Sequence, residues 1–381
     1  MKDLKLSRRT VLKQTFGFSA TVLIGSLPAV AKPVRRDGVA SHFTMIGDWG
    51  KQRGGTDGQS AVARGMAGYL TKNEITPEAM FFLGDNFYGK MPGGVKCPRW
   101  KKQFSAFYPP KIFPCPCYAI LGNHEYDDEP KNKITAQLNY KKHKPATRWN
   151  MPAKWYRVDL GPEEAPLMTV LCLDSNFSNK NDQLTPAERQ EQLAWLKAEL
   201  AKPRTTPWLV VNGHHPLYSC GHYGDFPEMT EEWDGLFREH GVHFYFCGHE
   251  HDLQHLEFEG HPTSFVVSGG GGAPPRKVKD CEDRGPFAEQ TLGFTHLEVT
   301  NEEFIVRHVN EEEQIVHAFS KTPDGEVNLL EVADREPEEE GEKAKRKKEK
   351  KRGGSEERLE KSCAWDMIHG AKYSRLNSAP L

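Results

Sequence analysis

Seven side chains able to bind a metal through oxygen or ring nitrogen fall into five short clusters across roughly two hundred positions of this 381-residue chain. In chain order the clusters are Gly47-Asp48-Trp49-Gly50, Gly84-Asp85-Asn86-Phe87-Tyr88, Gly122-Asn123-His124-Glu125, Val211-Asn212-Gly213-His214-His215 and Gly248-His249-Glu250-His251. The seven are Asp48, Asp85, Tyr88, Asn123, His214, His249 and His251. Carboxylate, phenolate and amide oxygens mixed with imidazoles suit a pair of borderline-to-hard ions that activate water and neutralise a phosphoryl group. One such cluster alone would read as a turn, because Asp and Asn bond their own backbone and Gly supplies positive φ. Five in order, each behind an apolar run, read as a site.

The elements that must hold them follow from pattern. Runs rich in β-branched and aromatic residues at 42–46, 79–83, 118–121, 208–211 and 242–247 break at or near glycine, which puts the clusters at the C-terminal ends of strands. Further strands are expected at 167–173, 263–267 and 293–299. Val62, Met66, Tyr69 and Leu70 recur at helical spacing over 59–70. Thr185-Pro186-Ala187-Glu188 is a capping box with proline at the first helical position, opening a helix that should bury Leu193, Leu196 and Leu200. These alternations predict an α/β protein with the candidate ligands on loops at one edge of its sheets.

The second cluster narrows the chemistry. Calcineurin-like metallophosphoesterases usually open with Asp-x-His, whereas here Gly50 stands where that histidine would be, and Tyr88, three residues after Asp85, offers a phenolate instead. This paired change resembles the purple acid phosphatases, as does the wording Gly-Asp-Trp-Gly, Gly-Asp-Asn-Phe-Tyr, Gly-Asn-His-Glu and Cys-Gly-His-Glu-His-Asp-Leu-Gln, from about residue 42 to about 319. The short, single-domain, tartrate-resistant type is the nearer likeness. The resemblance implies a four-layer αββα sandwich of two mixed sheets. It implies Fe(III) held by Asp48, Asp85, Tyr88 and His251, and Fe(II), Zn(II) or Mn(II) held by Asp85, Asn123, His214 and His249, with Asp85 bridging. It further implies hydrolysis of phosphate monoesters by a metal-held hydroxide attacking phosphorus in line, without a phosphoenzyme. Such ions stand about 3.5–4 Å apart.

By the same likeness His124 and His222 are the candidates for phosphate binding and leaving-group protonation, and Asn123 also meets substrate. His215 either contacts substrate or packs. An imidazole near its ordinary pKa of ~6.5 is charged in acid, where it both binds an anion and donates a proton. His255 reads as a surface or supporting residue. Gly269 to Gly272 lack the Lys-Ser/Thr of a phosphate-binding loop and read as the rim of the site, with Trp49 and Phe87 packing beside the metals.

The formal charge of −2 gives no argument for a nucleic-acid partner. Residues 1–31 read as a twin-arginine export signal: Ser7-Arg8-Arg9-Thr10-Val11-Leu12-Lys13, a mildly apolar stretch from Thr15 to Val30, and Ala29-Val30-Ala31 as a cleavage site. The expectation is a periplasmic or secreted protein that meets the export machinery already folded and keeps no membrane span after cleavage. The eight cysteines form no zinc pattern. Cys172 and Cys247 look like buried strand residues, and Cys97, Cys115, Cys117, Cys220 and Cys281 are the plausible disulfide partners. A catalytic domain is expected over 38–325. From 333 to 381 the chain turns to charge blocks, with a basic stretch opening at Lys343 and closing at Arg352 that could touch anionic surfaces weakly. Two other functions compete: a phosphodiesterase or nucleotidase on the same fold, against which Gly50 with Tyr88 argues, and a non-catalytic cell-surface binding protein acting through that tail.

Overall fold

Alternation of side chains along single strands explains the layering. In the strand Ala79–Phe82, Ala79 and Phe81 enter one apolar cluster while Met80 and Phe82 enter another. The strand Phe244–Cys247 divides the same way, Phe244 and Phe246 to one side and Tyr245 and Cys247 to the other. Successive side chains of a strand point to opposite faces, so strands apolar at every position must be covered on both. Each fully buried large side chain contributes about 1.5–3 kcal/mol, and these strands carry them in pairs.

The computed structural model describes residues 40–51, 57–127, 132–177, 183–279 and 281–332. The first sheet has eight strands in the spatial order Val327–Leu329, Ile315–Lys321, Phe304–Asn310, Gly293–Val299, Ser41–Ile46, Ala79–Phe82, Cys117–Ala119 and Trp149–Asn150. The second has seven: Phe287–Glu289, Leu253–Leu256, Ser264–Ser268, Phe244–Cys247, Trp208–Asn212, Met168–Cys172 and Tyr156–Leu160. Phe43, Met45, Phe81, Val210, Phe244 and Val266 share the apolar cluster between the sheets. Outside the first sheet, helix Asp57–Lys72 buries Val62, Met66, Tyr69 and Leu70. Outside the second lie Leu196 and Leu200 of helix Pro186–Leu200 and Trp233 and Phe237 of helix Pro227–His240. Three cores between four layers make the expected αββα sandwich of two mixed sheets.

The three first-sheet strands that precede motifs are parallel to one another, as are the two in the second sheet. Their C-terminal ends therefore open on common edges, where the five clusters sit. The capping box is present, with Thr185 Oγ1 accepting from Glu188 N at 3.2 Å and Glu188 Oε2 accepting from Thr185 N at 2.9 Å. One expectation for that helix shifts: Leu193 is only half-buried, and Gln192 is buried in its place, bonded both ways to the Asp174 backbone at 2.8 Å.

Of the five cysteines named as disulfide partners, Cys220 pairs with Cys281. Cys97, Cys115 and Cys117 are instead free and buried in the core outside the first sheet. The last strand, Val327–Leu329, runs just past position 325. The export signal over residues 1–31 and the tail over 333–381 lie outside the described residues. Among the described residues no helix is long and apolar enough to cross a membrane.

Candidate metal centre

Three of the seven candidate ligands sit in backbone conformations that non-glycine residues avoid: φ is 60° at Asp48, 51° at Asp85 and 68° at His249. Each such residue costs of order 1–3 kcal/mol and persists where its surroundings over-determine it. Here the loops brace one another. Asp48 N donates to Gly84 O at 3.1 Å, Gly50 N to Asp85 O at 3.2 Å, and His249 N to Asp48 Oδ2 at 2.8 Å.

The side chains converge in two groups. In the first, the Tyr88 hydroxyl stands 3.2 Å from Asp48 Oδ1 and 3.3 Å from His251 Nε2, and that nitrogen is 3.4 Å from the same Asp48 oxygen. In the second, Asn123 Oδ1 is 3.1 Å from His214 Nε2 and 2.9 Å from His249 Nδ1, the two nitrogens being 3.3 Å apart. Asp85 links them: its Oδ1 lies 3.5 Å from His214 Nε2, and its carboxylate also reaches the Tyr88 phenol.

Gly50 shows why the first group draws on a tyrosine. A Cβ there would stand 1.8 Å from the Asn86 carbonyl oxygen, so no imidazole fits. The Gly50 carbonyl instead accepts from Tyr88 N at 3.1 Å, which sets the phenol on its path into the group.

Whether these residues fit a pair of cations can be judged from which atoms face one another. His214 Nδ1 donates to the Leu83 carbonyl at 2.8 Å and His251 Nδ1 to the Pro274 carbonyl at 2.9 Å. Each ring therefore turns its lone-pair nitrogen inward. In the second group the His214 lone pair faces the Asn123 and Asp85 oxygens, an arrangement that repels unless a cation sits there, while in the first the Tyr88 hydroxyl donates to Asp48 Oδ1 in place of a cation. The spacing agrees, since ligand atoms at ~2.1 Å from one ion stand about 3.0–3.4 Å apart.

Charge points the same way. Burial pushes the Asp48 carboxyl up to about 8, the neighbouring Asp85 adding to it. Burial and the two carboxylates hold the Tyr88 phenol well above its ordinary value. Burial also drives His251 down to about 4 and His249 well below the usual imidazole range. His249 and His251 are thus neutral, as ligands must be, and a bound cation would offset the penalty on the Asp48 carboxyl and the Tyr88 phenol.

His124 lies beside this set. Its Nδ1 bonds Asp127 Oδ2, its Nε2 lies 3.9 Å from Asp85 Oδ2, and its ring is 4.2 Å from that of Tyr88. Asp127 is an orienting partner that the sequence reading missed; its signal was the i, i+3 spacing in one helical turn. Behind it, Glu125 accepts from Gly122 N at 2.8 Å and Phe87 N at 3.0 Å, tying two motif loops together.

His222 is exposed on a loop held from below by buried Glu250, whose carboxylate accepts from His222 N at 2.9 Å, Tyr223 N at 2.6 Å and Gly224 N at 3.1 Å. The Cys220–Cys281 disulfide ties the same loop. His215, 6% exposed, packs at 4.4 Å on the ring of His249 and bonds Ser175 Oγ at 2.9 Å. Burial holds it well below the usual range. Ser175, also missed from sequence, accepts from both His214 N and His215 N. His255 is fully buried, stacked on Phe319 at 3.5 Å and bonded to His317 and Glu257. Of the two readings of it, surface or supporting residue, burial excludes the surface one. Trp49 and Phe87 pack against each other with ring centroids 5.5 Å apart, as expected.

The calcineurin-like phosphoesterase profile matches residues 41–253, which spans all five clusters. Tartrate-resistant acid phosphatase type 5 of Sus scrofa is 29% identical over 292 residues, 70% of this chain and 83% of its own. Among solved structures, GAP50, the anchor in the inner membrane complex of Plasmodium, superposes with a TM-score of 0.64 at 19% identity, covering 77% of this chain and 90% of that one. The purple acid phosphatase PPD1 of yellow lupin (Lupinus luteus) seeds gives 0.58 at 16% identity, covering 79% of this chain and 57% of its own. With a family profile across more than half its length and two groups of candidate metal-binding atoms at the strand ends, the chain belongs to the calcineurin-like phosphoesterases and is an acid phosphatase similar to the purple ones among them.

Proposed function

We propose that the protein hydrolyses phosphate monoesters in acid, with Fe(III) held by Asp48, Asp85, Tyr88 and His251 and a second ion, Fe(II), Zn(II) or Mn(II), held by Asp85, Asn123, His214 and His249. The observation that carries this reading is the Tyr88 hydroxyl standing 3.2–3.3 Å from Asp48 Oδ1 and His251 Nε2, where Gly50 leaves no room for an imidazole. When bound, the two ions supply Lewis acidity for the phosphoryl oxygens and a water of lowered pKa.

The chain's own groups do the rest. The backbone N–H of His124 holds Asp85 Oδ1 at 2.9 Å, fixing the bridging carboxylate. Asp127 takes the Nδ1 proton of His124 in a hydrogen bond, which leaves Nε2 facing the site as the carrier of the proton for the departing alkoxide. His222, on the loop braced by Glu250, adds positive charge at the rim when protonated. His215, packed behind His249, serves to set that ring rather than to meet substrate.

An anchoring role without catalysis is the alternative that the likeness to GAP50 raises. The complete set of converging lone pairs weighs against it, because a surface protein would gain nothing from them. Metal analysis and a visible spectrum test the proposal: two ions per chain, at least one iron, with a violet colour that Tyr88→Phe bleaches. A colourless protein fully active with zinc or manganese alone would refute the iron assignment. We further propose export by the twin-arginine route to the periplasm or beyond; the Arg8→Lys, Arg9→Lys double variant should leave folded precursor in the cytoplasm.

A further inference from the structure

Tyr223 is one of two large apolar side chains left exposed among the described residues, at 50%. It is not on a bland surface. Its ring stacks on that of His249 at 4.6 Å and 28°, so it lies one ring thickness from the candidate metal pair. The guanidinium carbon of Arg276 stands 4.7 Å from the same ring, and Arg276 Nη1 donates to the His249 carbonyl at 3.1 Å. The loop under Tyr223 is held rigidly by Glu250 and the Cys220–Cys281 disulfide.

Positive charge collects around this ring. Lys279 brings its ammonium to 3.4 Å from where a Cβ on Gly224 would stand, beside Tyr223. Exposed Lys277 follows Arg276 in sequence. Lys51, next to Gly50 on the first motif loop, has its pKa lowered by partial burial and then by the charge of Arg276. Of the nearby carboxylates, Glu250 is engaged on three backbone N–H groups and Asp225 in a two-pronged pair with Arg284 at 2.8 Å, while Asp48 and Asp252 feel the charge of Arg276 without forming an ion pair with it. Among the described residues no ion pair involves Lys51, Arg276, Lys277 or Lys279.

A half-exposed aromatic face beside the reacting centre, ringed by cations that form no ion pair among the described residues, selects for what leaves rather than for the phosphoryl group. We propose that Tyr223 with Arg276, Lys51 and Lys279 forms a leaving-group subsite, so that the enzyme prefers small phosphate esters whose organic part carries a second anionic group. The inference rests on the phosphatase reading. The phosphoryl group binds at the metal pair, the organic part lies on Tyr223, and its anion meets the cations. Arg suits this role, since its planar fork stacks on an aromatic ring while its remaining donors bind an oxyanion.

The test compares kcat/KM of the metal-loaded, full-length protein on phenyl phosphate and on 3-carboxyphenyl phosphate at about pH 6, where the carboxylate is ionised. The two leaving groups are of similar basicity, so the ratio isolates the added charge. The expected preference for the carboxylated ester is about three- to tenfold, falling towards one in ~1 M salt, where screening reaches within a few ångströms. Arg276→Gln should collapse the ratio. Because Arg276 also holds the His249 carbonyl, the Lys51→Gln, Lys279→Gln double variant, which leaves that bond in place, should lower the ratio as well. A wild-type ratio at or below one, or one that salt does not change, overturns the subsite while leaving the phosphatase standing. A metal-loaded protein that hydrolyses neither ester overturns both.

Discussion

Replacing Glu250 by Gln changes one atom and should unsettle a whole side of the site. The carboxylate is fully buried and accepts from three consecutive backbone donors, His222 N at 2.9 Å on Oε2 and Tyr223 N and Gly224 N at 2.6 and 3.1 Å on Oε1. A glutamine can present one oxygen. If that oxygen keeps Tyr223 N and Gly224 N, the amide NH₂ faces His222 N–H, donor against donor. An unsatisfied buried N–H costs about 1–3 kcal/mol, and the two surviving bonds fall to roughly half their charge-assisted strength. Together these make about 2–5 kcal/mol. For a domain of nearly 300 residues each kcal/mol moves Tm by ~2 °C, so calorimetry should show a drop of about 4–10 °C. The disulfide at Cys220 limits how far the loop can travel, so the same replacement in a Cys220→Ala background should cost more than the two single changes added. Activity should fall too, since the loop carries His222 and Tyr223. A Tm within about 1 °C of wild type with unchanged kcat/KM would refute the idea that this carboxylate braces the loop.

His124→Ala should lower kcat by about 10²–10⁴-fold on esters with poor leaving groups and less on activated aryl phosphates; equal losses on both would mean that the imidazole binds phosphate instead. Asp127→Asn should reproduce a smaller part of that pattern by releasing the tautomer of His124. Gly50→His should fail to recreate the commoner first motif and should lose metal, because its Cβ would stand 1.8 Å from the Asn86 oxygen; retention of both ions by that variant would contradict the steric argument. His308 is fully buried between Thr295 Oγ1 and the Gln254 carbonyl, and burial pushes it down to about 3. The folded form therefore keeps it neutral while the unfolded chain protonates it near ~6.5, so its contribution is intact above that pH and is lost on acidification towards 3. Relative to His308→Gln, the wild type should lose about 1.4 kcal/mol per pH unit across that window, read as converging Tm values; parallel curves would exclude it. Removal of residues 333–381 should leave kcat/KM on a small ester within about twofold, less than ~0.5 kcal/mol.

Chemistry and fold class were legible in the residues themselves, because both depend on local sequence. A strand that must be covered on both faces is written as an unbroken apolar run, and a candidate ligand at its end as Gly-Asp or Gly-His. Helix Asp57–Lys72 and the capping box at Thr185 and Glu188 were readable for the same reason: spacing of 3.6 and a reciprocal pair three residues apart are properties of neighbours in sequence. The exchange of an imidazole at position 50 for a phenol at position 88 was visible too. Its cause was not, since the obstacle at Gly50 is a carbonyl oxygen thirty-six residues away that only the folded loops bring to it. Everything that supports the site from behind belongs to that second kind. Asp127 under His124, Ser175 under His214 and His215, and Glu250 under the Cys220 loop carry no distinguishing local pattern, and the choice of Cys281 over three other cysteines is a matter of which sulfurs the fold leaves near each other. The ring of Tyr223 beside Arg276 and Lys279 is the clearest case, for it joins two loops half a hundred residues apart through stacking and charge, and neither has a period in sequence.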